Sequence, residues 1–290
     1  MSTTTATNGW GRSEIVWSSL IFIVVAHILA IAGVVYLSMN FSWWTLSLGL
    51  VWYLFSGLAI TAGYHRLFSH KSYEANPLVK IFFLSFGAAC AQNTALKWCS
   101  DHRVHHKFAD QESDPYSVTD GFWWAHIGWV FHRGHERPHV SCADLEADPV
   151  VQWQAKYYIP IALTVAVGIP GLLGMLWGDA IGAMLFAGFT RLVWTWHATF
   201  SINSVTHRFG KKTYSKKESG GDSGLVALLT MGEGYHNFHH RFQTDYRNGI
   251  RWFHYDPSKW LVWTMSKVGL TRKLIRAPAD AISRAKSEAL

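Results

Sequence analysis

The apolar stretch WWTLSLGLVWYLFSGLAITAGY, residues 43–64, runs directly into the polar stretch HRLFSH, residues 65–70. A run of about 20 apolar residues is long enough to cross a lipid bilayer as a helix. The junction therefore predicts a membrane helix that ends in histidines at one face of the membrane. Three further apolar runs of similar length predict three more membrane helices: Ile15–Leu37, Tyr158–Trp177 and Ala180–Val205.

Composition and charge agree with a membrane protein. Of the 290 residues, 49% are hydrophobic and 16% are charged, whereas about 25% are charged in typical soluble domains. Nine lysines and arginines lie in segment 65–157 and fifteen in segment 207–290, but none lies in the short connections 38–42 and 178–179. Positively charged loops stay in the cytoplasm, so both long polar segments and both termini are predicted to be cytoplasmic. This distribution explains the net charge of +7, and no nucleic-acid partner is predicted.

A fifth apolar run, Leu78–Leu96, is shorter and carries Lys80, Gln92 and Asn93. If this run crossed the membrane, the histidine clusters on either side of it would face opposite compartments. We therefore predict that it lies in the membrane interface or against the site. Four spans then place all the histidine clusters on the cytoplasmic side.

The predicted fold class is all-α, with four transmembrane helices under a cytoplasmic helical cap that holds a histidine-rich site. The N-terminus lacks a basic start and a clear cleavage site, so the first apolar run is predicted to be retained as a span. Three cysteines without a CxxC pair give no disulfide framework. The predicted organisation is a disordered leader 1–14, a membrane domain 15–255 and a cytoplasmic tail 256–290.

Nine of the 16 histidines form a pattern at the ends of the apolar runs. HRLFSH starts at residue 65, HRVHH at 102 and HNFHH at 236, and a further histidine ends NSVTH at 207. On a helix, positions i, i+3 and i+4 share one face, so the three imidazoles of an HxxHH box can converge on one centre. The wider spacing in HRLFSH indicates a box that straddles a helix end. These clusters predict metal binding, whereas the other seven histidines are interpreted as hydrogen-bonded core or interface residues.

Nine imidazoles exceed what one ion can bind, so two ions are predicted. Imidazole suits iron, copper, nickel and zinc alike, and ligand type alone does not choose among them. Neutral ligands leave the metal charge uncompensated, and carboxylates that accept the second ring N–H of a ligand histidine would relieve it. Four acidic residues close to the boxes are candidates for that role: Asp101, Asp110, Asp114 and Glu233.

The chain resembles the membrane fatty acyl desaturases of the stearoyl-CoA desaturase type. The resemblance rests on the three boxes and on the segments QNTALKWCSDHRVHHKFADQESDPY (92–116), GFWWAHIGW (121–129), NSVTHRFG (203–210) and GEGYHNFHH (232–240), in the order of that family. It covers roughly residues 15–255. It implies a non-haem di-iron enzyme that uses O2 and two electrons to introduce a cis double bond, at the delta-9 position, into a saturated acyl chain.

The resemblance also implies roles for individual residues. The implied iron ligands are His65, His70, His102, His105, His106, His207, His236, His239 and His240. Asn203 is implied to hold a water near one metal. The implied substrate contacts are Gln92, Trp98 and Thr199 around the bend of an acyl tunnel, with Tyr53 and Gly57 near its closed end.

Ser100 departs from the family, because animal acyl-CoA members usually carry an arginine there that helps to hold the CoA group. The acyl carrier therefore stays open among CoA thioester, acyl carrier protein and membrane lipid. The 50 residues after His240 contain no haem-binding HPGG segment and no cysteine cluster. A separate electron donor such as a ferredoxin or a cytochrome b5 is expected.

Other classes of function fit the sequence less well. The nearest alternative is a membrane di-iron hydroxylase of alkyl or sterol substrates, which would share the histidine chemistry. A haem-type electron carrier would place paired histidines inside the spans, and a transporter would place polar residues along them. Here the histidine clusters lie at span ends, and the spans hold few polar residues.

Overall fold

A computed structural model describes residues 14–133 and 140–290 of the chain. The described part is mostly helical, with one two-stranded antiparallel sheet, and the all-α prediction is confirmed. The predicted leader, apart from Glu14, lies outside the described residues, as do His135 and His139.

The helices and strands follow one another along the chain with short connections. In the described residues the α-helices are α1 (Trp17–Met39), α2 (Trp43–Leu58), α3 (Pro77–Ala88), α4 (Ala95–Phe108), α5 (Phe122–His126), α6 (Ala143–Glu146), α7 (Pro149–Lys156), α8 (Tyr158–Leu163), α9 (Ile169–Gly174), α10 (Ala180–Ala183), α11 (Arg191–Ser201), α12 (His207–Phe209), α13 (Gly224–Leu229), α14 (His236–Arg241), α15 (Pro257–Lys267) and α16 (Ala279–Glu288). Segments of π-helix are Ala59–Ser69, Thr164–Gly168, Met184–Thr190 and Ile202–Thr206. Short 3-10 helices are Val118–Asp120, Gly128–Phe131 and Met175–Trp177, and the strands are β1 (Glu74–Ala75) and β2 (Thr271–Arg272).

Within the described residues, three helices are long and apolar enough to cross a membrane: Trp17–Met39, Trp43–Ser69 and Tyr158–Trp177. They correspond to the first three predicted spans. The second is the longest, because α2 continues without a break into π-helix. At about 1.5 Å per residue, its 27 residues measure about 40 Å, which exceeds a hydrocarbon core of about 30 Å. This helix is therefore longer than the hydrocarbon core is thick.

The fourth predicted span forms one continuous helical stretch, residues 180–209, from α10 to α12. It packs along α1 and α2. Arg191 and His197 lie within it, so it is less apolar than the three spans above. The Arg191 side chain is buried and donates hydrogen bonds to the backbone oxygens of Ala187 and Ala89. The fourth span stays a prediction, and this packing supports it.

The end of the fifth apolar run begins α4, and most of the run lies in α3, which is too short to cross the membrane. Its 12 residues measure about 18 Å at 1.5 Å per residue, against a hydrocarbon core of about 30 Å. The helix begins at Pro77, where the Asn76 side chain accepts a hydrogen bond from the Val79 N–H. Asparagine at the position before a helix and proline at its first position both favour the start of a helix. Phe83 packs in the same core as Tyr64 of the second span, so α3 lies against that span.

The C-terminal segment 256–290, predicted as a tail, packs onto the rest of the chain. Strand β2 pairs with β1, and Asp256 caps α15 by accepting a hydrogen bond from the Lys259 N–H. Val262 of α15 lies in the same core as Tyr64. The segment is ordered because its apolar side chains and the Asp256 carboxylate find buried partners.

Candidate metal centre

The nine clustered histidines come from four helix ends. His65 lies in the π-helical end of the second span, and His70 directly follows that end. Helix α4 carries the first HxxHH box, α14 carries the second, and α12 begins at His207. Seven of the nine imidazoles are buried. The fold therefore brings polar rings from distant parts of the chain into one interior site.

The nine imidazoles form two groups, and in each group the potential ligand atoms lie within 4.8 Å of one another. The first histidine group comprises His65, His70, His102, His106 and His239. The second histidine group comprises His105, His207, His236 and His240.

Each HxxHH box is divided between the two groups and does not converge on one centre, as its shared helix face had suggested. In the first box, His102 and His106 join the first group, whereas His105 joins the second. Positions i and i+4 lie about 40° apart around a helix, and position i+3 lies about 60° to the other side of i. The middle histidine of each box therefore points towards the neighbouring group.

Inside each group, Nε2 atoms of different histidines face one another. The Nε2–Nε2 distances are 3.0 Å for His65–His239, 2.9 Å for His70–His102, 2.9 Å for His106–His239, 3.1 Å for His207–His236 and 2.9 Å for His236–His240. The two groups thus present closely spaced nitrogen atoms towards common points.

In three of these histidines, the second ring nitrogen, Nδ1, contacts a carboxylate. Asp114 Oδ2 is 2.9 Å from His105 Nδ1, and Asp110 Oδ2 is 2.8 Å from His207 Nδ1. Glu233 Oε2 is 2.7 Å from His65 Nδ1. These three contacts place Asp110, Asp114 and Glu233 where the sequence predicted carboxylates. The fourth candidate, Asp101, accepts a hydrogen bond from Lys97 one helical turn away.

The donor set fits a metal ion. A neutral histidine whose Nδ1–H is held by a carboxylate has an unprotonated Nε2. Nε2 atoms only 2.9 to 3.1 Å apart repel one another when both are unprotonated, and a cation between them reverses the sign of that interaction. Burial and the neighbouring histidines lower the pKa of His102, His106 and His240 well below the usual value, so these rings are neutral at neutral pH.

Two of the carboxylates that contact the histidines, Glu233 and Asp110, remain charged in spite of their burial. Burial raises the pKa of Glu233, but His65 and Arg66 outweigh this effect and lower the pKa overall. The pKa of Asp110 responds in the same way: burial raises it, and the His207 contact lowers it further than burial raises it. Charged carboxylates are the stronger acceptors for the Nδ1–H group.

A buried ionic network behind Glu233 escaped the sequence reasoning. Arg66 is 1% exposed and lies 2.8 Å from Glu233 Oε1 and 3.0 Å from Asp256 Oδ1. Asn248 Nδ2 donates to Glu233 Oε2 at 2.7 Å. Glu233 is therefore held from three directions, including that of His65. The available signal was an arginine directly after a histidine at the end of a span, since a buried arginine requires a partner.

A cavity of about 910 Å³ lies beside both histidine groups, and its lining includes His65, His102, His105 and His236. The five residues for which the resemblance implied substrate contact all line this cavity: Tyr53, Gly57, Gln92, Trp98 and Thr199. Since Tyr53 and His65 lie 12 residues apart on one helix, the cavity follows that helix for about 18 Å at 1.5 Å per residue.

Hydrogen bonds join the polar residues of the cavity wall. Trp98 Nε1 donates to Gln92 Oε1 at 3.2 Å, and Gln92 Nε2 donates to Thr199 Oγ1 at 3.1 Å. Towards the other end, the Tyr53 hydroxyl donates to the backbone oxygen of Leu229. Hydrogen bonds therefore hold the cavity wall both at Gln92 and, further along the second span, at Tyr53.

Gly57 leaves room beside Met231 in the same wall. A Cβ atom at position 57 would lie 3.1 Å from Met231 Cγ. A large side chain at this position would therefore meet Met231 and fill part of the cavity.

Asn203 also lines the cavity, four residues before His207.

Three histidines outside the two groups form a separate chain. The His27–His197 and His197–His126 pairs each have ring nitrogens 3.0 Å apart. These three rings pair with one another, in agreement with their interpretation as hydrogen-bonded residues.

Comparison with known proteins identifies relatives over most of the chain. The model of the fatty acid desaturase family matches residues 41–271. A probable acyl-CoA desaturase of Schizosaccharomyces pombe is 41% identical over 83% of this chain and 51% of its own length. Acyl-CoA desaturase 1 of Saccharomyces cerevisiae is 35% identical over 96% of this chain and 55% of its own length. The sn-1 stearoyl-lipid 9-desaturase of Anabaena variabilis is 33% identical over 89% of this chain and 93% of its own length. The chain thus spans about half the length of the first two relatives.

Proposed function

The chain belongs to the fatty acid desaturase family, and from this premise we propose that it introduces a cis double bond, at the delta-9 position, into a saturated fatty acyl chain. Two adjacent methylenes would each lose one hydrogen, while O2, two electrons and two protons would yield two molecules of water. The observation that carries the proposal is the cavity that touches both histidine groups and follows the second span. The names of the relatives favour desaturation over the hydroxylase alternative.

We propose two non-haem iron ions as the cofactor, one held by each histidine group. When bound, they would supply the redox chemistry that an unactivated methylene C–H requires. The protein keeps the ligand rings neutral and oriented, because Asp110, Asp114 and Glu233 hold Nδ1 of three histidines and direct Nε2 inwards. Asn203 is proposed to hold a water at one metal, and its place in the cavity wall supports this role.

The cavity residues are proposed to position the acyl chain and to exclude water. Gln92, Trp98 and Thr199 would surround the bend of the chain, because their hydrogen bonds fix the wall beside His102 and His65. Tyr53 and Gly57 would bound the methyl end, further along the second span.

The acyl carrier is one of three: CoA, acyl carrier protein or a membrane lipid. Ser100 lines the cavity at the position where the resemblance leads one to expect arginine. Among the relatives, one group is named for acyl-CoA and another for a lipid substrate. Assays should therefore offer all three carriers.

We propose a separate electron donor, such as a ferredoxin or a cytochrome b5. Lys211, Lys216 and Lys217 are exposed and could steer an acidic carrier. Lys212 is less available, because its Nζ donates to the backbone oxygen of Ser219. The same lysines also act as an orientation signal. If they steer the donor, turnover with a soluble donor should fall as ionic strength rises, and an unchanged rate would contradict steering.

We propose that the chain is multi-pass, with four spans and with both termini and the metal centre in the cytoplasm. The distribution of lysine and arginine supports this orientation. We further propose that the catalytic domain, predicted as residues 15–255, extends into α15, because Asp256 binds Arg66 next to His65.

Expression in a host that lacks its own desaturase tests the proposed function. Gas chromatography of the total fatty acids should reveal a new monounsaturated species with the double bond at carbon 9. A hydroxylated fatty acid would instead support the hydroxylase, and an unchanged profile with a functional electron donor present would contradict the proposal.

A further inference from the structure

Four large aromatic side chains are exposed together after the last histidine box. Trp252, Phe253, Trp260 and Trp263 are 84%, 56%, 41% and 46% exposed, and they are called the aromatic patch below. Single exposed apolar residues are common on proteins, but contiguous ones mark a surface that another phase or molecule covers.

The aromatic patch is held rigidly in its exposed position. The Lys259 ammonium group donates to the backbone oxygens of Gly249 and Arg251, each at 2.7 Å. Trp260 Nε1 donates to the backbone oxygen of Trp252 at 3.2 Å. The loop before α15 is thereby tied to the helix, so the exposure of its rings is a fixed property of the fold.

The aromatic patch is attached to the second span just before the metal centre. The hydroxyls of Ser258 and Thr61 are hydrogen-bonded, and Thr61 lies four residues before His65. A hydrocarbon core of about 30 Å accommodates about 20 helical residues. If the core begins at Trp43, where this span starts, it ends close to Thr61. The patch therefore lies at the level where the span leaves the hydrocarbon.

Basic side chains accompany the exposed rings. The Arg251 guanidinium lies 5.7 Å from the centre of the Phe253 ring, and Lys267 Nζ lies 4.8 Å from that of Trp263. Tryptophan rings flanked by lysine and arginine are typical of the interface between hydrocarbon and headgroups, where the ring sits in the boundary and the cation meets phosphate.

The apolar surface of the spans continues onto α13. Leu225 and Leu228 of α13 are exposed, and Leu229 accepts the hydrogen bond from Tyr53 within the second span. Helix α13 therefore lies beside the span with two leucines facing outwards. The exposed leucines extend the apolar surface of the spans on this side of the protein, which favours the same bilayer as the phase that covers the patch.

We propose that the aromatic patch inserts into the headgroup layer of the bilayer, on the side of the membrane that carries the metal centre. The patch sets the depth of the protein: the histidine groups lie just outside the hydrocarbon, and the cavity descends into it along the second span. Because Asp256 joins this segment to Arg66, contact with the membrane also stabilises the site.

Cysteine labelling in nanodiscs tests this placement. Cys90, Cys99 and Cys142 are buried, so an environment-sensitive fluorophore can be directed to Trp252→Cys and, separately, to Trp263→Cys. The protein is placed in phosphatidylcholine–phosphatidylglycerol nanodiscs with and without a lipid spin-labelled near the headgroup. We expect the attached fluorophore to emit at a shorter wavelength than the same fluorophore in buffer. The spin-labelled lipid should quench most of this emission.

The matched control is Ser283→Cys, an exposed position on α16, a helix that packs on Phe238 of the cap. Its label should keep a water-like emission that the spin-labelled lipid leaves unchanged, and metal content should be equal in all three variants. Labels at 252 and 263 that both behave like the label at 283 would overturn the proposal.

Discussion

The Nδ1 atom of His207 lies 2.8 Å from Oδ2 of Asp110, although both residues lie outside the three histidine boxes. The contact turns the other nitrogen of His207 towards His236, at 3.1 Å. His207 thus enters the second histidine group through a partner that is distant in sequence.

His207→Ala should lower the metal content of the purified protein and abolish desaturation, because the second group would keep only three imidazoles. Metal per chain can be measured by mass spectrometry after purification in detergent. His197→Ala is the matched control: it lies ten residues earlier in the same helical stretch and pairs with His27 and His126. Full metal content and activity in the His207 variant would exclude it as a ligand.

Asp110→Asn should weaken metal binding without removing a ligand. The amide is a poorer acceptor for the His207 N–H, and loss of such a carboxylate typically costs about 10–100-fold in affinity. Competition with a chelator measures the change. Asp280→Asn, in an exposed pair with Arg284, should have the affinity of the unchanged protein. Equal affinities in both variants would contradict the orienting role of Asp110.

Arg66→Met should destabilise the protein strongly. The change leaves Glu233 and Asp256 buried without their common partner, and breaking a buried ion pair costs about 3–5 kcal/mol. Thermal unfolding in detergent should show a clearly lower midpoint and earlier metal loss. Arg284→Met, on the exposed surface of α16, should unfold like the unchanged protein. A similar midpoint for both variants would show that the buried network contributes little.

Gly57→Leu should shorten the acyl chain that the enzyme accepts and leave metal content intact. The new side chain would occupy the cavity beside Met231, which lies 3.1 Å from the first added carbon. The product profile, measured by gas chromatography, should shift towards shorter monounsaturated acids. The double variant Gly57→Leu/Met231→Ala should recover part of the longer product, since it returns volume at the same place. An unchanged profile would remove position 57 from the substrate cavity.

Reporter fusions should detect the outside at residues 40 and 178 and the inside near residues 120 and 285. This pattern follows from four spans with α3 excluded, since 12 residues cover about 18 Å. An outside signal near residue 120 would make the fifth apolar run a span. That result would separate the box at residues 65–70 from the box at residues 102–106 and contradict the common site.

The local features of this protein were predictable from the sequence. The apolar runs predicted the three described helices that are long and apolar enough to cross a bilayer, because the length needed does not depend on neighbouring elements. The shortness and polarity of Leu78–Leu96 placed it outside that set, and the repeated boxes identified the histidines that gather in the interior. The roles of Gln92 and Trp98 came from family resemblance alone, since the local sequence around them predicts no particular contact.

Only the tertiary structure decided how these parts combine. Which histidines of different boxes share a group depends on how α4, α14 and the second span pack against one another. Arg66 and Asp256 form an ion pair across 190 residues, and the segment expected as a tail carries Trp260 and Trp263 of the aromatic patch. Spacing within one helix is set by its backbone geometry, whereas contacts between helices depend on how the whole chain packs its buried charges and apolar faces.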